Sequence, residues 1–98
     1  MARYFLFAAM LAFALAAQPD ATEAILKQAI ELHQAGKIEA AIEAYKKYLA
    51  ARPDSPLAIS NLGAAYAREA RYEDAISQYR RALQLQPGNA PVELNLAL

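Results

Sequence analysis

Four stretches of the chain carry apolar residues at helical spacing. Ile25, Ala29 and Leu32 fall at i, i+4 and i+7, which is one face of a helix. Asp20 stands ahead of them with Glu23 three residues on, the spacing of a capping box. Gly36 ends this helix, because glycine accepts the left-handed conformation of a helix C-terminus. A second helix is expected over 38–51, with Ile38, Ala41, Ile42, Tyr45 and Leu49 inward and Glu43 and Lys47 paired at i, i+4 on the outside. Pro53 stops it, since the residue before proline avoids the helical region. Ser55 and Pro56 open the next helix as N-cap and first helical residue. That third helix is expected over 56–70, with Ile59, Leu62, Gly63 and Tyr66 inward. A fourth follows over 72–86, with Tyr72, Ala75, Ile76, Tyr79, Ala82 and Leu83 inward. Pro87, Gly88 and Asn89 form a stop and turn, and Ala90-Pro91 begins a fifth helix running to Leu98. No segment sustains period-2 alternation, so no sheet is expected. The connections are short, which makes neighbouring helices antiparallel. Ala29 and Gly63 stand where the first helix of each pair approaches Ala41 and Ala75 of the second. A leucine at any of these four would push the pair apart.

These helices are copies of one another. A shift of 34 positions lays Ala41 on Ala75, Ile42 on Ile76, Tyr45 on Tyr79, Leu49 on Leu83 and Pro53 on Pro87. Asn61-Leu62 recurs as Asn95-Leu96. A fixed period of this length signals stacked supersecondary units rather than one closed globule. Such a stack offers a surface for holding another molecule, not a catalytic pocket.

The repeated residues resemble the tetratricopeptide repeat (TPR) family. The resemblance is carried by Asn61-Leu62-Gly63-x-x-Tyr66, then Tyr72-x-x-Ala75-Ile76-x-x-Tyr79-x-x-Ala82-Leu83, then Pro87. The unit beginning near Thr22 matches less fully. It keeps Ala29, Gly36, Ala41, Tyr45 and Pro53, but has Gln28 and Leu32 in place of Leu62 and Tyr66, and Tyr48 in place of the small Ala82. A terminal repeat has one face in water, and Gln28 suits that role. The resemblance implies an all-α fold, an α-solenoid of antiparallel helix pairs in a right-handed superhelix, with two full repeats (about 22–55 and 56–89) and the start of a third (90–98). It also implies a concave groove, lined by the first helix of each pair, that binds a peptide or an extended segment of a protein partner. Carried over position by position, the groove residues are Leu26, Lys27, Ile30 and His33, then Ser60, Asn61, Ala64, Ala67 and Arg68, then Leu94, Asn95 and Leu98. Some members hold a peptide backbone with a ladder of asparagines at the places of Asn61 and Asn95. Lys27 at the corresponding place of the first repeat breaks that ladder. The basic clamp for a terminal carboxylate found in certain chaperone adaptors is not matched by Lys27 and Arg68.

The N-terminal residues differ from the rest. Tyr4 to Ala17 is a continuous apolar run, and Arg3 is the only charge before Asp20. The run is shorter than the roughly 20 apolar residues of a spanning helix. One positive charge, a short apolar stretch and small residues at Ala14, Ala16 and Ala17 fit a secretory signal peptide over 1–17. An uncleaved anchor or a buried first helix is the alternative. Residues 18–98 would then form the exported repeat domain, periplasmic or secreted.

Composition narrows the chemistry. Ten basic residues balance ten acidic ones, with no run of like charge, so nothing draws the chain to nucleic acid. The absence of cysteine excludes disulfides, thiolate metal sites and a lipidated cysteine. His33 is the only histidine and has no carboxylate at ligand spacing; it reads as a solvent-facing or groove residue. No nucleophile–base constellation or phosphate-binding glycine loop is present. Glu69, Glu73 and Asp74 read as a solvated face, and Tyr45, Tyr66, Tyr72 and Tyr79 as core. Asn61 and Asn95 read either as asparagines tolerated on an exposed helix or as paired donors and acceptors for a peptide main chain. The expected protein is a non-catalytic, exported, cofactor-free module that binds a protein partner. The alternative is the N-terminal recruitment region of a larger exported enzyme, and a further possibility is self-association of the stack.

Overall fold

The computed structural model describes residues 21–89 together with 92 and 93. Four helices follow one another: α1 (Ala21–Gln34), α2 (Ile38–Ala51), α3 (Pro56–Arg68) and α4 (Tyr72–Leu85). No strand occurs among the described residues. The helices pair as α1 on α2 and α3 on α4; α2 packs on α3, and α1 reaches α3. This is an α-solenoid of helix pairs, in which each pair buries its apolar flank against the next. Val92 and Glu93 are helical. The rest of the expected fifth helix, the capping role of Asp20 and the expected 1–17 segment lie outside the described residues.

The turns inside the two hairpins share one geometry. After α1, Lys37 N–H donates to the Leu32 carbonyl (2.9 Å) and Gly36 N–H to that of His33 (3.1 Å). After α3, Arg71 N–H donates to the Tyr66 carbonyl (2.9 Å) and Ala70 N–H to that of Ala67 (3.0 Å). Both are Schellman motifs, which need a left-handed residue at the turn. Gly36 supplies it with φ 79°, and Ala70 is forced into it with φ 58°. Helix α3 therefore ends at Arg68, and Ala70, expected as its last residue, is the turn itself. A Cβ in this region costs about 1–2 kcal/mol. The second turn has a compensating contact: the Arg71 guanidinium lies 4.5 Å from the centroid of the Tyr66 ring, a cation–π arrangement, and pairs with Asp74 at 3.1 Å.

The links between hairpins are also copies. Ser55 Oγ accepts from Ala58 N–H (3.3 Å), and 34 positions later Asn89 Oδ1 accepts from Val92 N–H (3.4 Å). Both are side-chain N-caps. Arg81 donates to the Pro53 carbonyl, tying α4 to the link after α2.

The core holds Ala29, Ile38, Ala41, Ile42, Tyr45, Leu49, Ala58, Ile59, Leu62, Ala65, Tyr66, Ala75, Tyr79 and Ala82. Gly63 of α3 packs directly against the Tyr79 ring of α4. A Cβ there would sit 2.8 Å from Tyr79 Cε1. Tyr48, the large residue in a small residue's place, is buried and donates from its hydroxyl to Glu23 Oε1 (3.3 Å). The Glu23 carboxylate thus binds a core tyrosine of α2.

Three expectations are corrected. Ile76 and Tyr72 were expected inward, yet they are 38 % and 63 % exposed. Their counterparts Ile42 and Ile38 are covered because α3 packs on α2. Glu43 pairs with Lys46 at 3.8 Å rather than with Lys47, because i, i+3 is as close on a helix surface as i, i+4. Helix α4 ends at Leu85, one residue before Gln86, where Gln86 N–H closes the last turn on the Ala82 carbonyl (2.9 Å).

Candidate binding groove

The first helices of the two pairs, α1 and α3, lie beside each other. Their facing residues come from positions three, four, seven and eleven apart, which fall on one stripe of each helix. On α3 the stripe is Leu57, Ser60, Asn61, Ala64, Ala67 and Arg68. Leu57 and Arg68 are exposed, and the others are half-buried. Leu57, at 57 % exposure, is the large apolar side chain at one end. Ser60 spends its hydroxyl proton on the Leu57 carbonyl (3.1 Å). On α1 the stripe offers exposed Lys27 and half-buried Ile30 and His33.

Leu26 does not belong to this surface. It is buried in the core with Ala29. The apolar face of α1 is turned so that Leu26 and Ala29 go inward while Ile25 and Leu32 are only half-covered. An aliphatic side chain beside a hydrophobic seam gains more from entering it than from lining a groove. Leu94, Asn95 and Leu98 lie outside the described residues.

The structure brings His33, Asn61 and Arg68 together and adds two residues that the pattern did not single out. A depression of about 390 Å³ is lined by Ile30, His33, Gln34, Tyr45, Asn61 and Arg68. At its floor is Tyr45, a core residue only 1 % exposed. Its hydroxyl lies 3.1 Å from His33 Nδ1 and is also hydrogen-bonded by the Asn61 side chain. The two rings meet edge to face, with centroids 5.9 Å apart. Arg68 crosses from α3 and donates to the carbonyl of His33 (3.3 Å). That carbonyl is in the last turn of α1, where a cation is favoured by the helix dipole.

Burial raises the Tyr45 pKa, and the Asn61 bond acts in the opposite sense. A bond that favours phenolate is one donated to the oxygen, so the Asn61 amide N–H points at Tyr45. The Tyr45 hydroxyl and His33 Nδ1 share one hydrogen bond, and the imidazole tautomer sets which of them donates. Burial first, and the Arg68 charge second, hold the His33 pKa below its ordinary 6.5. His33 is neutral at neutral pH. It is a hydrogen-bonded groove residue, not a freely solvated one.

Arg68 and Asn61 are therefore less free than their sequence positions indicate. Arg68 fastens the second hairpin to the end of α1, and Asn61 holds Tyr45 from across the repeat boundary. Gln34 was legible in principle, since it precedes Arg68 by one repeat length. Tyr45 was not, because the same side chain satisfies the core pattern. No group of three or more histidine, cysteine, aspartate or glutamate residues that could hold a metal occurs among the described residues. No helix among the described residues is long and apolar enough to cross a membrane.

Stacked hairpins with a shared first-helix face define a repeat family, and one matches. The family described as "Surface lipoprotein assembly modifier, N-terminal TPR repeats" covers residues 9–98. The chain belongs to this TPR family. The match begins inside the apolar run of Tyr4 to Ala17 and extends through the described helices and the third copy. No curated protein matches the chain. TPR repeats as a class mediate protein–protein interaction.

Proposed function

We propose that this protein is a non-catalytic, exported TPR module that lays an extended segment of a protein partner along the α1–α3 face. The observation that carries this reading is the single stripe formed by Leu57, Ser60, Ala64 and Ile30, with polar anchors at Lys27, Asn61 and Arg68. A strip of small and apolar residues flanked by donors suits an extended peptide, whose side chains need shallow pockets and whose main chain needs partners. The family description adds a setting: the partner would belong to surface lipoprotein assembly. Export is supported by the apolar run ending at Ala17, and mass spectrometry of the exported protein would place its N-terminus.

The test is a titration. Peptides selected from a displayed library are measured by calorimetry against the protein and against Leu57→Arg, which puts charge on the stripe at an exposed position outside the core. Affinity should fall at least tenfold, with the melting temperature held. Unchanged affinity would reject the groove.

A second reading is that these repeats recruit for a larger exported protein. Its support is the description of the family's repeats as N-terminal, together with the exposed apolar residues of α4. The downstream coding sequence decides it.

A further inference from the structure

Helix α4 turns one side to α3 and leaves another open. Glu73, Ile76, Ser77, Arg80 and Gln84 are all exposed. Their spacing of three, four, seven and eleven residues puts them on one stripe. Together with Arg81 they line a shallow depression of about 600 Å³. Tyr72 stands exposed at the start of the helix and Leu85 at its end. The matching face of α2 is covered by α3, so the pattern is one on which a helix packs. The other end of the stack is different. There α1 carries exposed Gln28 and Glu31 at the places of buried Leu62 and Ala65 of α3. The α1 of another molecule lacks the apolar residues that α3 buries, which disfavours head-to-tail growth of the stack.

Charge selects what fits the open face. Glu73 and Arg80 flank Ile76 on the stripe. Two α4 helices laid antiparallel about a twofold axis at Ile76–Ser77 set Glu73 of each copy beside Arg80 of the other, with both Ile76 side chains at the centre. A parallel arrangement sets Glu73 on Glu73 and Arg80 on Arg80. The stripe is thus complementary to itself in one orientation, as an isologous interface requires. We propose that this face of α4 binds a second copy of the chain, helix antiparallel to helix, as a twofold dimer. The face belongs to the second helix of its pair, apart from the α1–α3 stripe, so the inference stands without the groove reading. One helix face per copy is less than the roughly 800 Å² per partner of a stable interface. The dimer is therefore weak, with a dissociation constant on the order of 100 µM.

Charge reversal tests the arrangement. The full chain, Glu73→Arg, Arg80→Glu and the double variant are compared by sedimentation equilibrium from about 1 µM to 1 mM, a range that brackets the expected constant. Circular dichroism first establishes equal helicity. Each single variant sets like charges together across the axis and should associate about tenfold more weakly. The double variant, and an equimolar mixture of the two single variants, restore opposite charges at both contacts and should recover the original association. Ile76→Gln, at the centre, should weaken association as well, and serves in place of a reversal that loses helicity. All samples share the apolar run of Tyr4 to Ala17, so association through that run does not follow the charges. A monomer at every concentration would overturn the proposal and leave the face to another occupant, such as the chain that follows Asn89. Association that neither reversal nor Ile76→Gln weakens, or that the double variant and the mixture fail to recover, would overturn it too.

Discussion

The two hairpins are copies 34 residues apart, and their differences show what a repeat needs from its neighbours. In the first, Ile42 is fully buried beneath α3; in the second, the matching Ile76 is 38 % exposed. In the first, the position is Ala29, buried in the core; in the second it is Gly63, which stands against Tyr79 with no room for a Cβ. In the first, glycine makes the turn; in the second, alanine is held in the same left-handed geometry. In the first, His33 Nδ1 is hydrogen-bonded with the hydroxyl of the core tyrosine; in the second, Ala67 occupies that place. The same pattern of apolar positions thus yields two surfaces. The first hairpin is sealed against a successor, and the second presents tyrosine, isoleucine and leucine to whatever comes next.

The sharpest way to break this comparison is to make one substitution in both copies. Ile42→Ala should cost about 2–4 kcal/mol, since it leaves a cavity between the hairpins. Ile76→Ala should cost about 1 kcal/mol or less, as half-exposed surface changes little. Denaturant midpoints of the two variants measure the difference. Equal losses would mean that α4 is as well covered as α2.

The turns give a smaller effect of opposite sign. Gly36→Ala should destabilise by about 1 kcal/mol, and Ala70→Gly should stabilise by about 0.5–1 kcal/mol. Thermal melting should separate them by several degrees, at about 4–8 °C per kcal/mol for a chain of this size. Tyr48→Phe tests the place where the first repeat departs from the small-residue pattern. Loss of the bond to Glu23 should cost about 0.5–1 kcal/mol, read by the same melting curve.

The smallest effect is the dependence on pH. His33 is held below its ordinary 6.5 by burial and by Arg68. As pH falls through 6.5, the unfolded chain binds the proton first. Stability therefore declines below pH 6.5 and levels off once the folded histidine is also protonated. His33→Ala, which copies Ala67 of the second repeat, should flatten this part of the stability–pH curve. A slope that survives the substitution would place its origin elsewhere.

The architecture was largely legible because helical period and repeat length are properties of the chain alone. Ser55 as a cap, Gly36 as a stop and the boundaries of α2 follow from local chemistry. The misplaced residues share a different cause. Ile76 and Tyr72 have the right pattern, but burial depends on a neighbouring helix that the pattern does not supply. Ala70 reads as a good helix former, and its left-handed φ emerges only when it is set against Gly36. Leu26 sits at a groove position by homology, and its aliphatic side chain takes it into the core. The site was half legible. His33, Asn61 and Arg68 were singled out as separate groove residues, whereas the hydroxyl that gathers them belongs to a tyrosine whose ring fulfils the core pattern.

Tyr45 has its ring in the interior and its oxygen at the floor of the groove, linked to both hairpins. Whatever presses on Asn61 or His33 from outside is felt at the seam between the two repeats. Were a partner segment to occupy the cleft, as proposed, its binding and the rigidity of the stack would be one property, and its departure would let the scaffold breathe.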